Sequence, residues 1–211
     1  MADQLCTPTQ VKNRLQNAQA GVTFSATDTT TITELIEQVS DWMQHFTGRR
    51  FVPITSTTYI VDTEAGYVLR FPIGVRTVSA LTINTLAHQP DTGGTYPTTI
   101  AAANILLRPS GPDLPVGWPP TQIRLSRAQS TVFGTIENGA SVTGTFGFAA
   151  TPPDIAAVAI DATVAAFQSR KNGASGVIGA DGDAIIPWVS FFSKGSPQRA
   201  TLERYRYVGV G

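Results

Sequence analysis

The stretch WMQHFTGRRF, residues 42–51, brings three aromatic rings, one histidine and two arginines into ten positions. Two chemistries could use that mixture. Rings interleaved with guanidinium groups stack on bases and meet phosphates, as a nucleic-acid surface requires. A histidine near an arginine pair could move a proton beside a bound anion. The third reading is structural: the end of a helix, with Gly48 as a left-handed stop and Arg49 and Arg50 set against the negative end of the helix dipole. Arg49 and Arg50 then stay open as dipole compensation, an intersubunit contact or a touch on DNA.

A catalytic site or a metal centre needs further groups, and the sequence does not supply them. His45 and His88 are far apart, with no ligand spacing between them. The single Cys6 excludes a disulfide within the chain and builds no thiolate cluster. Asp181 and Asp183 in ADGD lack the bidentate Glu of a calcium loop, so the segment reads as a Gly-rich turn. No G-x-S-x-G elbow is present. The run GASGVIGADG follows a helix rather than a strand and has no Lys–Ser/Thr pair, which a phosphate-binding loop requires. The expectation is a protein that is not an enzyme and holds no cofactor or metal.

Charge narrows the partners. Lys plus Arg equals Asp plus Glu at 15 each, so the chain lacks the cationic excess that drives sequence-independent DNA binding. Charged residues make up 14% of the chain, against roughly 25% in ordinary soluble domains. Two readings of that deficit stand side by side: a surface partly covered by copies or partners, or a plain Thr-coated β domain. No segment reads as a signal peptide or a membrane span. A protein of a reducing cytoplasm is expected.

These residues must be positioned by a helical frame. TPTQVKNRLQN reads as a helix with Thr7 as N-cap, Pro8 at its first position, Gln10 completing a capping box, and Val11 and Leu15 on one face. After a polar linker near 21–28, TITELIEQVSDWMQHFTG carries Ile32, Leu35, Ile36, Val39, Met43 and Phe46 at three- and four-residue steps, a clear amphipathic helix. Thr31 and Glu34 are its candidate capping box. TPPDIAAVAIDATVAAFQSRKNG predicts a charge-poor helix begun by Thr151 and ended at Asn172–Gly173. A helix so poor in charge is expected to be surrounded, either inside a bundle or against a neighbouring subunit. Ala159, Ala162 and Ala166, with Trp42 at the edge of the earlier stripe, are candidate intersubunit or DNA contacts. SPQRATLERYRYVGVG predicts a short basic helix with Ser196 as N-cap. Its Arg199, Leu202, Arg204, Tyr205, Arg206 and Tyr207 form a candidate docking tail that orders on a partner.

Between the helices the texture changes. From about Thr55 to Phe148, STTYIVDT, YVLRF, VSALTIN, TQIRLS and SVTGTFGF are short, β-branched and separated by turn residues. HQPDTGGTYPTT and RPSGPDLPVGWPP read as loops, and IAAANILLR as a strand in preference to a short helix. The fold class is α+β: a helical bundle frame over 1–52 and 150–211, with an inserted antiparallel β-sandwich or barrel-like domain over 53–149.

Three segments carry a resemblance: CTPTQVKNRL with ITELIEQVSDWMQHFTGRRF, then ATPPDIAAVAIDATVAAFQSRKN, then the closing LERYRYVG. Their order and their turn motifs, TGR before a Phe and P-x-D-I at a helix start, resemble the head-to-tail connector (adaptor) family of tailed bacteriophages and prophages. The likeness covers roughly the first 50 and the last 60 residues. It implies a structural ring, usually of twelve copies, in the virion neck after assembly in the host cytoplasm. Such a ring docks beneath the portal protein through the C-terminal segment. It extends the DNA channel without specific DNA binding, and supports the next tail-completion (stopper or terminator) protein. A tail-tube or tail-terminator protein is an alternative within that class. Outside it stands a β-sandwich that binds carbohydrate or protein through Trp118, Tyr96 and Tyr67. A small hydrolase is the remaining alternative.

Overall fold

The computed structural model describes residues 3–18, 21–71, 73–84, 96, 98–108, 117–128, 130–171, 177–178, 184–185 and 190–206. The chain divides into two compact units, Met1–Val52 with Thr151–Gly211, and Pro53–Ala150. Antiparallel sheets and helices coexist in an α+β fold.

In the first unit, helix α1 spans Pro8–Ala18. Thr7 and Gln10 make the expected reciprocal cap: the Thr7 amide donates to Gln10 Oε1 at 2.8 Å, and the Gln10 amide to Thr7 Oγ1 at 3.3 Å. Helix α2 spans Ala26–Thr47. It begins before Thr31, and the capping box is Ser25 with Asp28 in place of Thr31 with Glu34. The Asp28 amide donates to Ser25 Oγ at 3.0 Å and the Ser25 amide to Asp28 Oδ2 at 2.9 Å. That amide bond is the main reason the Asp28 carboxyl sits below its ordinary range. The linker is correspondingly shorter than the sequence predicts. Inside the helix Thr29, Thr30 and Thr33 each turn the hydroxyl inward and donate it to the carbonyl four residues back. Gly48, at φ 64°, stops it as expected.

Helix α3 runs over Pro153–Lys171 and packs against both α1 and α2. Helix α4, Pro197–Tyr205, is capped by Ser196, whose Oγ accepts from the Arg199 amide at 3.2 Å. Val11, Leu15, Ile32, Leu35, Ile36, Val39, Met43, Ile155, Val158, Phe167 and Leu202 are buried. They are the apolar positions that the helical periodicity places inward.

The second unit holds β1 (Ile54–Thr63), β2 (Val68–Arg70), β3 (Val75–Ile83), β4 (Thr98–Thr99), β5 (Ile105–Arg108), β6 (Gln122–Leu125) and β7 (Ile136–Phe146). Two antiparallel sheets form, ordered β1-β7-β3-β4 and β2-β6-β5. Leu69, Leu81, Ile83, Ile123, Leu125, Val142 and Phe146 belong to one core cluster drawn from both sheets, a sandwich. Among the described residues the sheets do not close into a barrel. The segment IAAANILLR divides between the two readings: a 3₁₀ turn over Ala102–Asn104, then β5. Most of the two expected loops lies outside the described residues; the end of the first, Thr98–Thr99, is β4.

Between α3 and α4, β8 (Val177–Ile178) pairs with β9 (Ala184–Ile185). The Asn172–Gly173 stop and the ADGD turn lie outside the described residues.

Candidate assembly surface

The C-terminal turns of α2 build an aromatic stack. Trp42 and Phe46 lie one helical turn apart and stack at 5.2 Å with planes 10° apart. Trp42 also stacks on Phe192 at 4.4 Å. Phe46 carries two guanidinium groups near its ring, Arg199 at 5.3 Å and Arg206 at 5.7 Å from the centroid. An arginine over an aromatic face is attracted by the ring quadrupole and loses little hydration there. The stack thus orients two cations, one in α4 and one at its C-cap. His45 points outward, exposed, and takes no part in it.

Arg49 is not a surface cation. It is 6% exposed, and its Nε donates to the Tyr205 carbonyl at 3.2 Å. It meets the C-terminal end of α4, so its charge faces a helix end where carbonyls collect. Arg50 lies outside, 43% exposed, with Nη2 2.7 Å from Asp3 Oδ2. Of the arginine pair, Arg50 alone keeps the open reading.

The expected docking tail separates into two kinds of residue. Leu202 and Tyr205 are 0% and 8% exposed and belong to the core of their own unit. The Tyr205 hydroxyl donates to Asp154 at 2.9 Å and 3.1 Å, and its ring meets Phe51 edge-on at 5.5 Å. Burial, followed by that bond to Asp154, pushes the phenol up to about 12. Arg204 and Arg206 are exposed, while Arg199 is half-buried with Nε 2.8 Å from Glu203. Tyr207 lies outside the described residues.

Ala159, Ala162 and Ala166 are corrected as well. At 1%, 0% and 2% exposure they have no surface left for a second copy, because α1 and α2 of the same chain cover α3. Of the two expected surroundings, the bundle encloses the buried face of this helix, while Ala157 stays exposed and Ile160, Val164 and Ala165 half-buried. In the second unit, Tyr67 packs against the sandwich core, and Trp118 meets Phe148 edge-on at 6.0 Å. Both rings thus give one surface to the sandwich's own packing, which weakens the platform expected of them.

A row the sequence reading did not single out runs along the outer side of α2. Glu34, Gln38, Asp41 and His45 are exposed, and Glu37 is half-buried beside them. The signal was present as polar residues at three- and four-residue steps opposite the apolar stripe. The 22-residue α2 contains no Lys or Arg. The nearest cation is Arg170, whose Nη1 lies 4.0 Å from Glu34.

No family model matches the chain, and no curated protein matches it. Solved structures do. Over 97% of this chain and 93% of the other, the fold is similar to a chain in the "Neck of empty GTA particle computed with C6 symmetry", at TM-score 0.52 and 20% identity. A chain of the "Neck of native GTA particle computed with C12 symmetry" matches at TM-score 0.49 and 19% identity, covering 97% and 92%. A chain of the "Virion of native gene transfer agent (GTA) particle" matches at 0.47 and 21%, covering 97% and 93%. The first of these likenesses is one of fold.

Proposed function

We propose that the chain is a structural neck protein of a phage-like particle: a head-to-tail adaptor that forms a homo-oligomeric ring beneath the portal. The observation that carries this reading is a fold likeness spanning nearly the whole chain, 97%, to a chain of a particle neck solved with C6 symmetry. The ring is taken to hold twelve copies, the number the sequence resemblance implies. The ring extends the DNA channel, and a stopper or terminator protein follows on its tail side. Such a role relies on many modest interfaces rather than on a reactive group, so the protein is not an enzyme and uses no cofactor. Portal docking is assigned to residues 207–211, after α4 and its cap.

The test is loss of the gene in a particle-producing strain. Filled heads and separate tails by negative-stain microscopy are the expected result; intact particles would overturn the assignment. Truncating 197–211 would remove buried Leu202 and Tyr205 and damage the unit itself. Deleting residues 207–211 is therefore the informative variant, expected to abolish co-assembly with a portal ring while the chain stays folded. Unimpaired co-assembly would sink the portal contact.

A further inference from the structure

We propose that the basic face of α4 on one copy seats on the acidic row of α2 on the next copy, a head-to-tail contact repeated around the ring. The inference rests on the ring reading above and names the surfaces that close it.

The two faces differ in sign and in place. Arg204 and Arg206 are exposed at the end of α4, with Arg199 beside them and Glu203 as the acid among them. Glu34, Glu37 and Asp41 line the outer side of α2, where Arg170 is the nearest cation at 4.0 Å. Phe46, which Arg199 and Arg206 flank, is twelve residues on from Glu34. At 3.6 residues per turn that places it about a third of a turn around α2 from the acidic row. One unit therefore shows opposite charge on two separate surfaces.

That arrangement limits the symmetry of the contact. An isologous pair built on either face would set like charges together, which costs energy at an interface. When each face meets a different neighbour the contact is heterologous and closes into a ring if the rotation fits, whereas a two-fold pair that engaged both faces at once would stop at a dimer. The chain's zero net charge is what such a subunit needs, because each copy donates one face of either sign. The aromatic stack holds the cations in place before contact, lowering the ordering cost of long side chains. Duplex DNA is a weaker fit for the basic face. Three cations with an acid among them neutralise few phosphates.

The experiment is sedimentation velocity on the full chain at low and high salt. Wild type should self-associate, with affinity falling about tenfold or more in high salt because the pairs are exposed. Arg204→Glu/Arg206→Glu and Glu34→Lys/Asp41→Lys should each lose assembly while keeping the wild-type circular dichroism. Mixing the two should restore it as an alternating assembly, and the fourfold swap in one chain should restore it alone. Assembly indifferent to both reversals, or not restored by mixing, overturns this contact and leaves the ring reading intact. A wild type that stays monomeric at every salt, with a portal ring present as well as without one, overturns both. Loss of binding to a short duplex DNA in the Arg204/Arg206 variant, with self-association unchanged, assigns the face to nucleic acid and also overturns the contact.

Discussion

Arg49 Nε donates to the main-chain oxygen of Tyr205 at 3.2 Å, joining residues 156 positions apart. A buried guanidinium thus closes the end of α4, and the Tyr205 hydroxyl reaches on to Asp154 at the start of α3. Replacing Arg49 with Met should lower unfolding free energy by about 1.5–3 kcal/mol, the range for a hydrogen bond to a charged group. Arg49→Lys should recover only part, since an ammonium cannot reproduce the planar fork. Urea denaturation checks both, and an unchanged midpoint in Arg49→Met would remove the residue's structural role.

The Tyr205 phenol is held neutral, its value raised from 10 to about 12 in the folded chain. Its contribution to stability is therefore complete below pH 10 and lost as pH rises through the folded value. Burial acts the same way on the Cys6 thiol, raised from 9 to about 11 against a smaller opposing bond from Thr163. Stability should fall between about pH 9 and pH 12, and Tyr205→Phe should lack the upper part of that fall. Denaturation midpoints across the alkaline range test the sign. At neutral pH, Cys6 should resist thiol reagents until the chain unfolds; rapid labelling of folded protein would contradict the burial.

Ala162 has 0% exposure beneath the helices that cover α3. Ala162→Leu should cost about 1–3 kcal/mol through overpacking. An intersubunit alanine would instead leave the unfolding midpoint alone and change only assembly. Thermal denaturation and sedimentation on one variant separate the two cases.

Gly144 sits in β7, where a Cβ would collide with the Thr77 carbonyl oxygen of the paired strand β3. Backbone cannot swing aside as a side-chain tip can. Gly144→Ala should destabilise the chain by about 2 kcal/mol or more through strain between the central strands. Gly66→Ala meets open space, yet sits at φ 139°, so its cost should come from backbone conformation instead. Equal stability of Gly144→Ala and wild type would show that the strands part readily.

The stripe from Ile32 to Met43 was legible because a 3.6-residue period has one outcome when its residues are all apolar. The start of α2 was not, since Ser25–Asp28 and Thr31–Glu34 both satisfy the capping pattern. The structure closes the Ser25–Asp28 box and leaves Thr31 inside the helix. The fate of Arg49 could not be read locally, because its partner is a backbone oxygen supplied by the far end of the chain. For α3, low charge correctly signalled enclosure, but composition cannot say whose atoms enclose it. The acidic row on α2 was visible as spacing and gained meaning only once α4 placed its arginines near the same helix.

The first unit is assembled from two separated stretches, Met1–Val52 and Thr151–Gly211. On the ribosome, α2 therefore emerges with its apolar stripe uncovered and waits while 53–150 are made. At 5–20 residues per second that interval is about 5–20 s. The inserted sandwich, being contiguous, can finish folding within it. The surfaces of α2 and α4 exist together only after 53–150 and α4 have been made, so any contact that needs both faces waits until then.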